Sequence, residues 1–238
     1  MSPRPAAKDR FLYLDNWAEA QTSGYVDEAL EASGLAVERH RTNEGRFPSD
    51  HEFCGAYVSP SFSGACDDEE WIAPLKDLLV ILADAKVPIL GLCFGSQVLA
   101  AALFGGGLVT RREKREMGYG PLELSRKSPA DDPLLEGLPG AFEILHWHGD
   151  DVGADHPDIE VLAANGNCAN QIWRWRNGPV WGVQPHPEYG RDQAMNWFDR
   201  NAESFAACGA SADDFVPRTS SFDAGRLLID NFIGLVTA

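Results

Sequence analysis

The segment PILGLCFGSQVLAAALFGG, residues 88–106, decides the fold of this 238-residue chain. It begins as a short apolar run typical of a buried parallel strand, and it continues as a helix that a pair of glycines closes. The corner between strand and helix reads GLCFG, residues 91–95. Glycines two positions before and after a corner residue keep Cβ atoms away from a strained backbone. The pattern therefore predicts that Cys93 is held at the carboxyl end of a strand, where α/β sheets place their sites.

Apolar runs alternate with amphipathic patterns on both sides of this segment, as expected for a mainly parallel sheet. Beyond residue 107 the stretches become shorter and are interrupted by Gly, Pro and Asn, which predicts hairpins. The sequence thus predicts a doubly wound α/β fold with helices on both sheet faces and a smaller β-hairpin region. Strands are predicted at 11–17, 36–41, 54–59 and 87–93, and helices at 22–34, 67–85, 190–207 and 222–236.

One domain is the simplest organisation, because the chain contains no internal repeat, low-complexity tract or linker. We expect residues 1–9, which are basic and contain proline, to be a disordered tail. Residues 10–238 are then a single domain that ends in C-terminal helices.

The net charge of −16 excludes several classes of partner, because such a surface repels nucleic-acid phosphates and anionic membranes. No apolar run is long enough for a transmembrane helix. The cysteine count is odd, with no CxxC pair and no zinc-type spacing, so we expect a reduced, cytoplasmic protein. The five cysteines are Cys54, Cys66, Cys93, Cys168 and Cys208.

A candidate base lies in PVWGVQPHPEYG, residues 179–190. Prolines on both sides of His186 hold the backbone extended. Side chains at i and i+2 of an extended chain point to one side, so His186 and Glu188 share a face. A carboxylate on one imidazole nitrogen and a thiol on the other would complete a nucleophilic triad.

Each of these residues also has a plain structural interpretation. A free cysteine is most often a small buried residue, and a lone histidine is most often a hydrogen-bonded structural one. His146 and His148 flank Trp147 on an alternating strand, but no Cys or Asp stands at ligand spacing, so no metal site is predicted.

GLCFGSQ at residues 91–97 and the HPE strand end at 186–188 resemble the class I (triad) glutamine amidotransferases. Among these the chain is most similar to free-standing, GMP-synthase-like domains and γ-glutamyl peptidases, from about residue 11 to 198. The resemblance implies a flavodoxin-like doubly wound fold and the following site: catalytic Cys93, His186 and Glu188; oxyanion-hole N–H groups of Phe94 and Ser61; and glutamyl binding by Gln97 and by backbone at Trp147, His148 and Gly149.

Two departures from the family pattern are proline substitutions. Pro60 stands where the oxyanion segment usually has glycine, but the required N–H belongs to the next residue. Pro185 stands where an aromatic residue usually precedes the histidine, which removes one donor from the strand ladder.

The resemblance implies hydrolysis of the γ-carboxamide of glutamine, or of another small γ-glutamyl amide, through a thioester on Cys93. No cofactor is implied, and no phosphate-binding loop is present in the sequence. Two alternatives stay open. In the first alternative, the chain is an ammonia donor that depends on a separate synthetase partner. In the second, it is a catalytically silent binding protein on the same fold.

Overall fold

A computed structural model of the chain describes residues 6–18, 21–125, 132–218 and 222–238. Within these residues nine strands form one sheet in the order β2-β1-β3-β4-β9-β8-β7-β5-β6. The strands are β1 (Arg10–Asp15), β2 (Ala36–Arg41), β3 (Gly55–Val58), β4 (Ile89–Leu92), β5 (Val109–Leu124), β6 (Ala141–Val152), β7 (Ile159–Ala164), β8 (Ile172–Trp175) and β9 (Val180–Val183). The helices are α1 (Tyr25–Ser33), α2 (Ile72–Asp84), α3 (Phe94–Phe104), α4 (Arg191–Arg200), α5 (Ala202–Ala207) and α6 (Ala224–Thr237).

The strands β2, β1, β3, β4 and β9 are parallel, and the remaining neighbours in the sheet are antiparallel. This order matches the flavodoxin-like doubly wound type, so the predicted fold class is confirmed. The carboxyl ends of β3, β4 and β9 meet along one edge of the sheet. The segments that carry Ser61, Cys93 and His186 follow these three strands directly.

Helices cover both faces of the parallel strands because side chains alternate along each strand. In β1, Phe11 and Tyr13 pack in the core that α1 and α6 share, whereas Leu12 and Leu14 pack in the core under α2 and α3. The two cores explain why β1 is buried along its whole length.

A third cluster is mainly aromatic and forms behind β6. Trp197 of α4 and Phe205 of α5 contact the ring of Trp147, with centroid distances of 5.9 and 4.2 Å. Phe215, in a short 3-10 helix, packs against Phe205 at 5.0 Å. The predicted helix over 190–207 is therefore two helices, α4 and α5, that pack onto the strand carrying Trp147.

Most predicted boundaries of strands and helices differ from the structure by at most three residues, and two predictions differ in ways that need explanation. The helix predicted over 67–85 begins at Ile72, because Asp67 accepts a bond from the backbone N–H of Gly64 (2.6 Å) and closes a loop instead. Of the tail predicted over 1–9, residues 1–5 lie outside the described residues. Ala7–Asp9 form a 3-10 turn that leads into β1, where disorder was predicted.

The predicted hairpin around Asn177 and Gly178 joins β8 to β9 as antiparallel neighbours. None of the helices in the described ranges is both long and apolar enough to cross a bilayer.

Candidate active site

The corner between β4 and α3 has the geometry of a nucleophile elbow. Cys93 has φ 51° and ψ −108°, a conformation that non-glycine residues rarely adopt. A Cβ on Gly95 would lie 2.1 Å from the backbone oxygen of Val58, and one on Gly91 would lie 2.5 Å from the backbone of Gly95. The two glycines are thus required for the close approach of β3, β4 and α3. Strain of this kind concentrates at functional sites.

His186 and Glu188 lie on one face of the extended segment after β9. His186 Nδ1 is 2.8 Å from Glu188 Oε1, and both side chains are buried. Pro185 does not disturb the pairing. The N–H of Gln184 donates to the backbone oxygen of Gln171, the residue before β8 (2.8 Å), and the N–H of His186 donates to that of Leu145 in β6 (2.7 Å). The chain therefore changes pairing partner across the residue that lacks a donor.

The surroundings of His186 favour its charged form. Nδ1 faces the Glu188 carboxylate, and Nε2 is 3.2 Å from the backbone oxygen of Trp147, so both nitrogens face acceptors. Burial opposes a charge on His186, but the Glu188 carboxylate and then the Cys93 sulfur outweigh burial and hold the pKa of His186 well above the ordinary value. Cys93 Sγ is 3.5 Å from the same Trp147 oxygen. The structure thus brings Cys93, His186 and Glu188 together in one buried group.

The two residues that were predicted to supply an oxyanion hole are Phe94 and Ser61. Phe94 is the first residue of α3, so its N–H has no partner within the helix. Ser61 lines the cavity above Cys93. The strand end before it is fixed by Asn16, which bonds to Ser59 Oγ (2.8 Å) through its N–H and to Ser59 O (2.7 Å) through Nδ2.

Cys93 opens into a cavity of about 470 Å³. Gln97, Trp147, His148 and Gly149 all line it. The amide nitrogen of Gln97 is held by Asp150 O (3.0 Å), which fixes the orientation of the side chain. The ring of Trp147 belongs to the aromatic cluster, so its backbone is the part that faces Cys93.

Glu116, His146 and His148 form a buried group with the composition of a metal site, and their ligand atoms lie within 4.8 Å of one another. The oxygens of Glu116 already accept bonds from Asn165 (2.6 Å), Gln171 (2.9 Å) and His148 (3.1 Å). We therefore interpret Glu116 and His148 as a hydrogen-bonded ion pair, next to which burial lowers the pKa of His146 to about 4 and leaves both of its ring nitrogens without a partner among the described residues. Sequence spacing did not reveal Glu116, because β5 brings it opposite His148 only through strand pairing.

His148 is a buried cation close to the candidate nucleophile. Its Nε2 faces Glu116, and its Nδ1 lies 3.0 Å from Asp151 Oδ1 and 3.1 Å from Asp150 O. Burial opposes its charge, but hydrogen bonds to Asp151 and Glu116 raise its pKa to about 9. For Glu116, burial alone would raise the pKa of the carboxyl group. Interactions led by the hydrogen bond with His148 outweigh burial and lower that pKa to about 2. Both ring nitrogens of His148 are thereby engaged within the protein.

Fold and site together define a doubly wound α/β protein with a buried cysteine, histidine and glutamate at the carboxyl edge of its sheet. A family model described as "Glutamine amidotransferase class-I" matches residues 20–201. The chain belongs to this family.

Similar proteins agree with this assignment. The chain is 36% identical over 117 residues to the glutamine-hydrolysing GMP synthase subunit of Pyrococcus abyssi, covering 47% of this chain and 59% of that protein. It is 27% identical to "Gamma-glutamyl peptidase 4" of Arabidopsis thaliana, covering 72% and 69%. A crystal structure of a glutamine amidotransferase from Thermotoga maritima superposes with a TM-score of 0.79 at 18% identity, covering 95% and 97%. The match spans 20% to 24% of the length of full bacterial GMP synthases.

Proposed function

We propose that the protein hydrolyses the γ-carboxamide of glutamine, or of a related small γ-glutamyl amide, through a γ-glutamyl thioester on Cys93. The observation that carries this proposal is the buried group at the strand–helix corner. A cysteine on a strained turn, a histidine with both nitrogens facing acceptors and a buried glutamate lie within contact of one another. This is the composition that nucleophilic catalysis by a thiolate requires.

The first half-reaction begins from a thiolate at Cys93 and an imidazolium at His186. The sulfur attacks the amide carbonyl carbon, and the N–H groups of Phe94 and Ser61 bind the oxyanion that forms. His186 then gives its proton to the leaving nitrogen. The C–N bond breaks, and ammonia or an amine departs from the thioester.

The second half-reaction uses the same groups in the reverse roles. His186, now neutral, removes a proton from water, and the hydroxide attacks the thioester carbon. The C–S bond breaks, so that glutamate leaves and the thiolate–imidazolium pair is restored. Glu188 keeps Nδ1 protonated through both halves and thereby fixes which nitrogen exchanges the proton.

A second candidate function is donation of ammonia to a separate synthetase. The similarity to the GMP synthase subunit of Pyrococcus abyssi supports it, because that relative is by name one part of a larger enzyme. The chemistry at Cys93 is the same in both cases. The difference is whether the isolated chain turns over quickly or needs a partner.

Steady-state release of glutamate tests the proposal. The purified chain is assayed with L-glutamine and a panel of γ-glutamyl amides and peptides, beside Cys93→Ala and the control Cys208→Ala, which changes an exposed cysteine. We expect release that Cys93→Ala abolishes and Cys208→Ala preserves. Slow release that a synthetase accelerates would favour the ammonia-donating function. Release that is equal in wild type and Cys93→Ala would contradict both.

A further inference from the structure

The histidine ring at position 146 is buried and unpaired. The side chain of His146 is wholly inaccessible, and neither of its ring nitrogens has a hydrogen-bond partner among the described residues. Buried polar groups are nearly always paired, so an unpaired imidazole indicates a bound water or ion as its partner. Because burial lowers the pKa of His146 to about 4, the ring is neutral at pH 7 and has a lone pair to donate.

Strand geometry brings His146 together with two further ligand groups. His146 and His148 are two positions apart on β6, so their side chains point to the same side of the strand. Pairing of β5 with β6 places Glu116 opposite His148. One ligand atom from each of the three residues lies within 4.8 Å of the other two. Two imidazoles and a carboxylate are a donor set that zinc and similar transition metals prefer.

The spacing of the donor atoms is close to that around a bound metal ion. Ligand atoms of tetrahedral Zn²⁺, with bonds of about 2.0 to 2.1 Å, lie about 3.4 Å apart. Glu116 Oε2 is 3.1 Å from His148 Nε2, and Glu116 Oε1 is 3.8 Å from His146 Nδ1. A cation therefore fits between them after side-chain shifts of about 1 Å. A cavity of about 370 Å³, which Glu116 and His146 line, gives the ion a route to the group.

Neighbouring groups already orient two of the donors. His148 Nδ1 is 3.0 Å from Asp151 Oδ1, so Nε2 is the nitrogen that faces Glu116. The Glu116 carboxylate is held by the side-chain amides of Asn165 and Gln171, at 2.6 and 2.9 Å. Hydrogen bonds of this kind fix the ring orientation and the position of metal ligands. The group thus has both the donors and the supporting contacts of a metal site.

We propose that Glu116, His146 and His148 bind one divalent transition-metal ion of the zinc type. The ion pair of Glu116 and His148 is the form that the group has without the cation. On binding, the N–H bond at His148 Nε2 breaks, its proton leaves to solvent, and the nitrogen lone pair forms a bond to the metal. The bound cation joins β5 to β6 directly after the register shift that ends at Glu116. This site is independent of the proposed function, and hydrolysis at Cys93 requires no metal.

The test measures Zn²⁺ and Co²⁺ binding to chelator-treated Cys93→Ala, because a thiolate at Cys93 would itself bind a metal. We expect calorimetry to show about one equivalent of Zn²⁺ bound with a Kd of about 1 to 10 μM, since the cation must displace a proton and break an ion pair. The melting temperature should rise with added Zn²⁺. The spectrum of bound Co²⁺ should lack the intense near-ultraviolet band that cysteine ligation produces.

Variants in the same Cys93→Ala background locate the site. His146→Gln and Glu116→Gln should each weaken Zn²⁺ binding by at least about tenfold, whereas the control His51→Gln, which changes an exposed histidine, should bind as Cys93→Ala does. Binding that persists unchanged in either of the first two variants, or a Co²⁺ spectrum of thiolate ligation, would assign the metal to other groups and overturn the proposal. Absence of Zn²⁺ binding by Cys93→Ala would also overturn it and would leave a buried water as the partner of His146.

Discussion

Glu188→Gln should separate catalysis from stability, because the carboxylate is wholly buried and acts on His186. The substitution keeps the size of the side chain and removes its charge. In the native site Glu188 Oε1 is 2.8 Å from His186 Nδ1, and Glu188 Oε2 has no hydrogen-bond partner among the described residues. The negative charge of Glu188 thus interacts with the imidazolium of His186, and few other polar groups compensate for its burial.

The magnitude follows from Coulomb's law. Two unit charges about 4 Å apart interact by about 4 kcal/mol at an effective dielectric constant of ~20. An amide retains part of this as a hydrogen bond, so we expect kcat/KM to fall by about 10² to 10³. The pKa of His186 should fall. As the pH is raised, the variant should therefore lose activity at a lower pH than the wild type does.

Stability should behave differently. Removing a buried, partly unpaired carboxylate relieves a desolvation cost, and His186 can lose its charge at the same time. We expect the free energy of unfolding to stay within about 1 kcal/mol of wild type. The assay combines glutamate release across pH with urea denaturation, and Glu31→Gln on the exposed face of α1 is the matched control. A loss of activity below threefold, or one matched by a loss of folding, would refute the reasoning.

Three further predictions concern the elbow, the ion pair and metals. Gly95→Ala should destabilise the protein by about 3 kcal/mol or more, because the added Cβ would lie 2.1 Å from Val58 O. The control Gly107→Ala places its Cβ where nothing lies within 4 Å, so it should fold normally. Thermal melting of the two variants and the wild type measures the difference. His148 has a raised pKa of about 9, so its stabilising contribution is complete below about 6.5 and disappears as pH rises through 9. Glu116→Gln should shift this loss to lower pH in urea titrations between pH 6 and 9, and an unchanged profile would count against the pair. Dialysis against a chelator should leave turnover and melting temperature unchanged, and restoration of lost activity by a divalent cation would show that our interpretation of the buried cluster is wrong.

The parts of the site that sequence could predict are those formed by neighbouring residues. The β4–α3 corner was predictable because a strand, a helix and two spaced glycines around Cys93 all occur within one short segment. The shared face of His186 and Glu188 was predictable because flanking prolines leave an extended backbone as the favoured conformation.

The parts that sequence could not predict depend on which strands pair. Glu116 meets His148, and Arg115 covers Gly149, because β5 and β6 are neighbours with a bulge between them. Nothing local in the charged run around residue 113 distinguishes this arrangement from a solvated surface. Asp67 similarly fits a helix start by its charge, but its bond to Gly64 closes a loop. Such outcomes are decided by tertiary contacts that compete with local preference.

The most direct test of the central claim is mass spectrometry of the intact protein, quenched in acid during turnover of the best γ-glutamyl substrate. We predict a mass increase of one γ-glutamyl group, which peptide mapping assigns to the segment containing Cys93 and which Cys93→Ala lacks. Turnover at full rate without an adduct, combined with undiminished activity in Cys93→Ala, would contradict the account.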